Sequence, residues 1–230
     1  MKLLTIDTST SACSVALTSG ERLVAEYLVN LDMHLASRLL DCVDAVLHMA
    51  GLTVTDLDGL GVALGPGSFT GVRIGIATVK GLALAAGKEV AGFSSLAMLA
   101  MNLSWAAYPV CPMFDARKKE VYTALYACRE RPEAIVADCV VPPADFLENI
   151  TGTTIFVGDG AINYRDLIVS RLGERAIFAP PYFHQPRASR GAFLAREVFS
   201  RGETVPVAAL VPVYIRPSEA ELAKMKREGV

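Results

Sequence analysis

A strand that closes on an aspartate, runs into a polar turn and is followed by a second strand occurs twice in this chain. This recurrence constrains the fold more than any other feature. In "KLLTIDTSTSACSVAL", Leu3 to Ile6 and Ser14 to Leu17 are strand-like, with Asp7 and the turn Thr8–Ser11 between them. In "VCPMFDARKKEVYTALY" a strand ends at Asp115, a turn spans Asp115 to Lys119, and a strand follows from Glu120 to Ala127. The first copy continues with a third strand at Leu23 to Val29, beyond the Ser19-Gly20 turn. A helix follows, with Leu35, Leu39, Leu40, Val43, Val46 and Leu47 at helical spacing and Gly51 as its stop. A buried strand (Leu60 to Leu64), a helix (Thr70 to Ala86) and a short strand (Glu89 to Phe93) complete that half. The second half adds "TIFVGDGA", a strand into a glycine turn, and the amphipathic helix "ASRGAFLAREVFSRG", closed by Gly202. The pattern predicts two α/β lobes meeting near residues 102 to 109. Residues 1–105 would form the first lobe, joined by the segment 205–230, and residues 106–204 a second, smaller one. The last residues are expected to pack back on the first lobe or to lie exposed, their charged end as a solvated tail.

The 230 residues suit one or two domains, and 52% hydrophobic against 20% charged residues describes a chain with a real core. A net charge of −2 gives no sequence-independent attraction to nucleic acid. The five cysteines (Cys13, Cys42, Cys111, Cys128, Cys139) are odd in number and hold no CxxC pair, so they read as small buried thiols of a reducing compartment. Ile76 to Ala86 is apolar but shorter than the roughly 20 residues of a membrane span, and Lys80 interrupts it. A cytoplasmic protein without a membrane partner is expected.

The segment "LGPGSFTGVRIGIATVKGLALAAGK" asks what its glycines are for. Gly65, Pro66 and Gly67 make a sharp turn, Ser68 or Thr70 can cap the following helix, and Arg73 lies in its first turns. A helix N-terminus attracts anions, so a phosphate site is physically allowed. The Walker A spacing is absent, and GxGxxG fails because the third glycine, Gly71, arrives one residue late. A structural turn and a nucleotide turn are therefore balanced. Within the helix, Gly71, Gly75 and Gly81 each cost roughly 1 kcal/mol relative to alanine, so they serve something other than helix stability. Their spacing suits close approach of another backbone, either the chain's own or a partner's, and predicts a tight pair with the helix at Leu35 to Leu47.

The stretches "IDTSTSACSVAL", "GPGSFTGVRIGIATVKGLALA", "FDARKKEVYTALY" and "VPVYIRP" resemble the TsaB (YeaZ-like) family, over a span from the first residues to about Arg216. The resemblance implies a two-lobed actin/Hsp70/sugar-kinase-like (ASKHA) α/β fold, with ribonuclease-H-like cores of mixed sheets flanked by helices. Catalytic relatives of the TsaD type carry an HxxxH metal pair. If Gly92 matches the glycine preceding that pair, Ser95 and Leu99 stand at the ligand positions, where neither is a useful ligand. His34, His48 and His184 are scattered and read as surface or cap residues. No metal site and no catalytic residues are expected in this chain.

The resemblance further implies a non-catalytic subunit that supports a TsaD-type transferase in threonylcarbamoylation of the adenosine beside the anticodon of ANN-decoding tRNAs. Asp7, Thr8, Gly65, Gly67, Ser68, Thr70 and Asp115 would shape a vestigial or interface nucleotide turn, and Arg73 and Arg117 could contact an anion or form salt bridges. Leu35, Leu39, Val43, Val46, Gly71, Gly75 and Val79 would form the interface with the transferase, or with a second copy of the chain when it is alone. A TsaE-type ATPase would dock on the pair, ATP or ADP would bind at the interface if anywhere, the metal would belong to the partner, and tRNA would be met only through the complex. Direct tRNA contact by the tail "AELAKMKRE" is the weaker expectation, its positive charges being offset by nearby glutamates. The rival readings are a small ASKHA-type metabolite kinase, with Asp7 and Asp115 holding Mg-ATP, and a metallopeptidase.

Overall fold

The computed structural model describes residues 1–30 and 35–216, with side chains from residue 38 onward in the helix that starts at Leu35. Two five-stranded sheets are built to one plan. In the first, β1 (Lys2–Asp7), β2 (Ala12–Ser19), β3 (Arg22–Asn30), β4 (Gly59–Ala63) and β5 (Val90–Phe93) lie in the order β3-β2-β1-β4-β5. In the second, β6 (Val110–Asp115), β7 (Val121–Cys128), β8 (Pro132–Val141), β9 (Thr154–Val157) and β10 (Ala176–Phe178) lie in the order β10-β9-β6-β7-β8. In both, the first three strands are antiparallel neighbours and the last two run parallel to the first. The recurrence in the sequence is thus a repeat of topology, with Asp7 and Asp115 at equivalent strand ends. Central strands covered on both faces lose their alternation, and β4 is buried at all five positions.

Helices α1 (Leu35–Met49) and α2 (Phe69–Ala86) cover one face of the first sheet, where Leu39, Val43 and Val46 meet Leu4, Ile6 and Val15 in one cluster. Burying each such side chain is worth about 1.5–3 kcal/mol, which is what fixes these helices. The short α3 (Ser95–Ala100) lies on β6 and β7 of the second sheet, where α4 (Pro143–Glu148), α5 (Asp159–Asn163) and α6 (Arg165–Leu172) also pack. The long α7 (Ala188–Arg201) returns to cover β1, β2, β4 and β5. Each lobe therefore supplies a helix to the other's sheet, and the expected division at residues 105 and 204 is crossed twice. α3 lies between the two sheets, with Leu96 and Leu99 packed on the second and Met98 joining Leu3, Ala63 and Phe93 of the first.

The C-terminal segment lies on the first lobe and ends on the second. Val205 bridges to Val90, the Val213 amide donates to the Leu64 carbonyl at 2.9 Å, and Arg216 reaches the Ala116 carbonyl at 2.8 Å and pairs with Glu120. The tail beyond residue 216, including the proposed tRNA contact, lies outside the described residues, as does His34.

Candidate functional site

Asp7 ends β1 with no exposure at all. One carboxylate oxygen accepts the Ser9 amide at 3.1 Å, and Oδ2 has no partner among the described residues. Loss of solvation raises its pKa to about 6, partly opposed by the hydrogen bonds from Ser9 and Thr8. The next residues press against the glycine-rich turn. The Thr8 hydroxyl donates to the Gly71 carbonyl at 2.7 Å, and the Ser9 carbonyl accepts the Ser68 amide at 2.6 Å. Gly67 lies against the Ser9 carbonyl, Gly71 against the Thr8 carbonyl and Gly75 against the Thr8 hydroxyl, so a Cβ at any of the three would collide. Ser68, not Thr70, caps α2, accepting the Gly71 amide at 3.2 Å; Thr70 is exposed. Gly65 accepts the Ser95 amide on its carbonyl at 2.9 Å.

Asp7, Thr8, Gly65, Gly67 and Ser68 are therefore brought together, but the turn after β1 fills the cradle that the glycines leave. The Ser68 and Gly71 amides, which a phosphate at this helix start would need, bond to the chain itself. The residues do not fit a phosphate in this turn. The close neighbour of the glycine face is the chain's own turn, and the tight helix pair with α1 does not arise from it; Gly81 faces open space.

Asp115 is held by other partners in the second lobe. It accepts the Arg117 amide at 2.7 Å and the Asn163 side chain at 3.0 Å, and its own amide donates to Asp159 at 3.2 Å. Burial raises the Asp159 carboxyl above its ordinary range, with the Asp115 charge adding to the effect. Arg117, Lys118 and Lys119 follow in the left-handed region, with φ of 58°, 52° and 64°. Such a run without glycine is costly and is held by the Ala116–Glu120 and Glu120–Arg117 backbone bonds.

Among the described residues Arg73 packs on aromatic rings and forms no salt bridge. Its guanidinium lies 3.7 Å from the Phe69 ring centre and its Nε donates to the Tyr214 hydroxyl at 2.6 Å. The expected interface set also turns inward: Leu39, Val43, Val46 and Val79 are at most 1% exposed, and Gly71 and Gly75 are buried. These residues hold α1 and α2 to the sheet, because helical spacing marks an apolar face without saying what covers it. The side chain of Leu35 lies outside the described residues. The outward face of α2 carries Ala77, Gly81, Leu84 and Ala85, with Leu84 72% exposed.

Ser95 and Leu99 are both fully buried in α3, and the Ser95 hydroxyl has no partner among the described residues. His48 is exposed, but His184 is not the surface residue expected. It is buried, its Nδ1 accepting the Gly158 amide and its Nε2 donating to the Ala179 carbonyl, both at 3.0 Å. It thereby braces the glycine turn after β9. A polar group missed from the sequence joins the lobes: Asp138 of β8 accepts the Ser94 and Tyr126 hydroxyls, each at 2.5 Å. Ser94 caps α3 in turn. No spacing signal connects three residues on three separate elements.

A family model described as "TsaD: tRNA N6-adenosine threonylcarbamoyltransferase" matches residues 31–224. The tRNA threonylcarbamoyladenosine biosynthesis protein TsaB of Bacillus subtilis is 35% identical over 225 residues, 96% of each chain. The solved structure of YeaZ from Pseudomonas aeruginosa superposes with a TM-score of 0.78 at 33% identity, covering 93% of this chain and 99% of that one. The ROK hexokinase of Thermus thermophilus, at 11% identity and a TM-score of 0.51 over 88% of this chain and all of its own, shares the fold alone.

Proposed function

As the chain belongs to the TsaB family of tRNA threonylcarbamoyladenosine biosynthesis proteins, we propose that it acts there as a non-catalytic subunit that binds and supports a TsaD-type transferase. That partner would carry the metal and transfer the threonylcarbamoyl group to the adenosine next to the anticodon of ANN-decoding tRNAs. A TsaE-type ATPase would dock on the pair in the cytoplasm, this chain would need no cofactor of its own, any ATP or ADP would sit at the shared interface, and tRNA would meet this chain only through the complex.

The observation that carries the reading is the outward face of α2. The helix is long and apolar enough to cross a membrane by length and composition, yet its inward face already packs on the sheet. Its small and apolar outward stripe, Ala77, Gly81, Leu84 and Ala85, suits another helix laid closely along it, which burial of Leu84 would reward. This replaces the inward residues as the contact surface and leaves the location on α2 unchanged. The filled cradle at Thr8 and Ser9, and Ser95 and Leu99 at the ligand positions, support placing the chemistry in the partner.

Size-exclusion chromatography with light scattering, on the chain alone and mixed with the TsaD-type subunit of its own organism, tests the proposal. A one-to-one species growing at the expense of a homodimer is expected, since one surface serving both makes mass action the arbiter. Gly81→Leu and Leu84→Glu should abolish it without lowering thermal stability, because neither position packs inside the fold. A complex that survives both substitutions refutes the α2 surface. A chain that ignores the transferase but binds Mg-ATP would favour the kinase reading.

A further inference from the structure

A cavity of about 520 Å³ lies far from the glycine turn, between the β2–β3 hairpin and α7. Arg187, Arg190 and Arg196 line it, over an apolar floor that includes Leu23 and Phe193. Arg187 is fixed in place. Its Nε and Nη2 both reach Glu26 at 3.1 Å, and Glu26, whose side chain is only 7% exposed, also accepts the Ser189 amide at 3.0 Å. The Glu26 charge is thereby spent on the start of α7 and on one edge of Arg187. Arg196 extends over Phe193, 5.6 Å from the ring centre, and its ion pair with Glu21 is long, at 3.6 Å. Glu21 is 90% exposed, so solvent screens that pair and leaves Arg196 available. Arg190 is exposed on the same side.

From this arrangement we infer a binding site for a phosphate-bearing ligand with a flat apolar body, either a nucleotide or the sugar-phosphate chain of a single-stranded RNA. Guanidinium groups match phosphate oxygens with paired donors, and a flat base can lie against the Phe193 and Leu23 floor as bases do on aromatic platforms. The volume falls in the ordinary range of small-molecule sites. The net charge of −2 does not oppose the assignment, because the positive groups are gathered locally. The inference stands apart from the partner-binding reading, since it uses neither α2 nor the glycine turn; a result in favour of RNA would mean that tRNA meets this chain directly and not only through the complex.

The test is titration of the full chain at low salt with two probes, ATP followed by calorimetry and a fluorescein-labelled single-stranded RNA followed by anisotropy. Saturable binding of either is expected. Arg190→Ala and Arg196→Ala should each weaken it about tenfold, and for RNA each should lower the slope of log affinity against log salt by about 1. Arg190 is exposed and the pair of Arg196 with Glu21 is screened by solvent, so the variants should keep the wild-type circular dichroism. Preference for ATP assigns the site to a nucleotide, and affinity growing with RNA length assigns it to the RNA chain. Absence of binding for both probes overturns the inference, as does binding indifferent to both substitutions or lost on Ser68→Ala instead. Competition by oligo-glutamate as strong as that by ATP would overturn the preference for phosphate.

Discussion

Two glycines of α2, six residues apart, carry opposite burdens, and only their surroundings distinguish them. A Cβ at Gly75 meets the Thr8 hydroxyl, whereas one at Gly81 meets nothing within 4 Å. Gly75→Leu should therefore destabilise the chain by about 1–3 kcal/mol or more, the usual cost of overpacking, lowering Tm by several degrees in differential scanning calorimetry. Gly81→Leu should leave Tm unchanged or raise it slightly through helix propensity. Equal behaviour of the two would mean that the turn after β1 does not press on α2. Asp7 gives a pH prediction. Its carboxyl ionises near 3.8 when unfolded and near 6 when folded, so between these values the folded chain holds the extra proton. Its contribution is most favourable below about pH 4, falls as the pH rises to about 6 and is flat above, a swing on the order of 3 kcal/mol. Asp7→Asn keeps an acceptor for the Ser9 amide and removes the buried charge. Compared with the parent in urea melts from pH 4 to 8, it should gain relative stability across that window and hold the gain at pH 7. A difference independent of pH would refute the assignment.

At the scale of elements, the strands legible from the sequence are those with apolar runs bounded by turn signals: β1 to β7 and β9. The second lobe's third strand was not legible. In β8, Glu133 through Ala137 are all exposed at the edge of the sheet, so no alternation marks one face. Its role appears at Asp138, which ties β8 to Tyr126 of β7 and to the cap of α3. Tyr126 is 5% exposed, and burial together with the Asp138 charge holds its hydroxyl protonated. Asp138→Ala would remove the acceptor of both the Ser94 and Tyr126 hydroxyls and should cost about 1–3 kcal/mol, while Tyr126→Phe, which leaves Asp138 bonded to Ser94, should cost less. Guanidinium unfolding of the two variants checks the order, and a neutral Asp138→Ala would show that the link carries no stability.

At the scale of the molecule, the exchange of α3 and α7 between lobes makes the two halves one folding unit. The Arg216 contacts with Ala116 and Glu120 add a second tie from the C-terminal segment. Arg216→Ala should loosen the second lobe's Asp115 hairpin more than the first lobe. Amide exchange around residues 116–121 should quicken while that of β1 and β4 stays slow, and a uniform change would place the tie elsewhere.

The sequence by itself determined strands β1 to β7 and β9, helices α1, α2 and α7, the recurrence of the strand plan, the aspartates at the two strand ends and the family, because these depend on local periodicity, turn chemistry and long matching motifs. Which face of α1 and α2 is covered, what occupies the glycine cradle, where Arg73 finds its partners and which lobe α3 and α7 serve were decided only by the tertiary structure. An apolar stripe or a missing Cβ states that something must approach closely. What approaches is fixed by contacts between residues far apart in the chain, such as Thr8 with Gly71 and Arg73 with Tyr214, for which local spacing carries no signal.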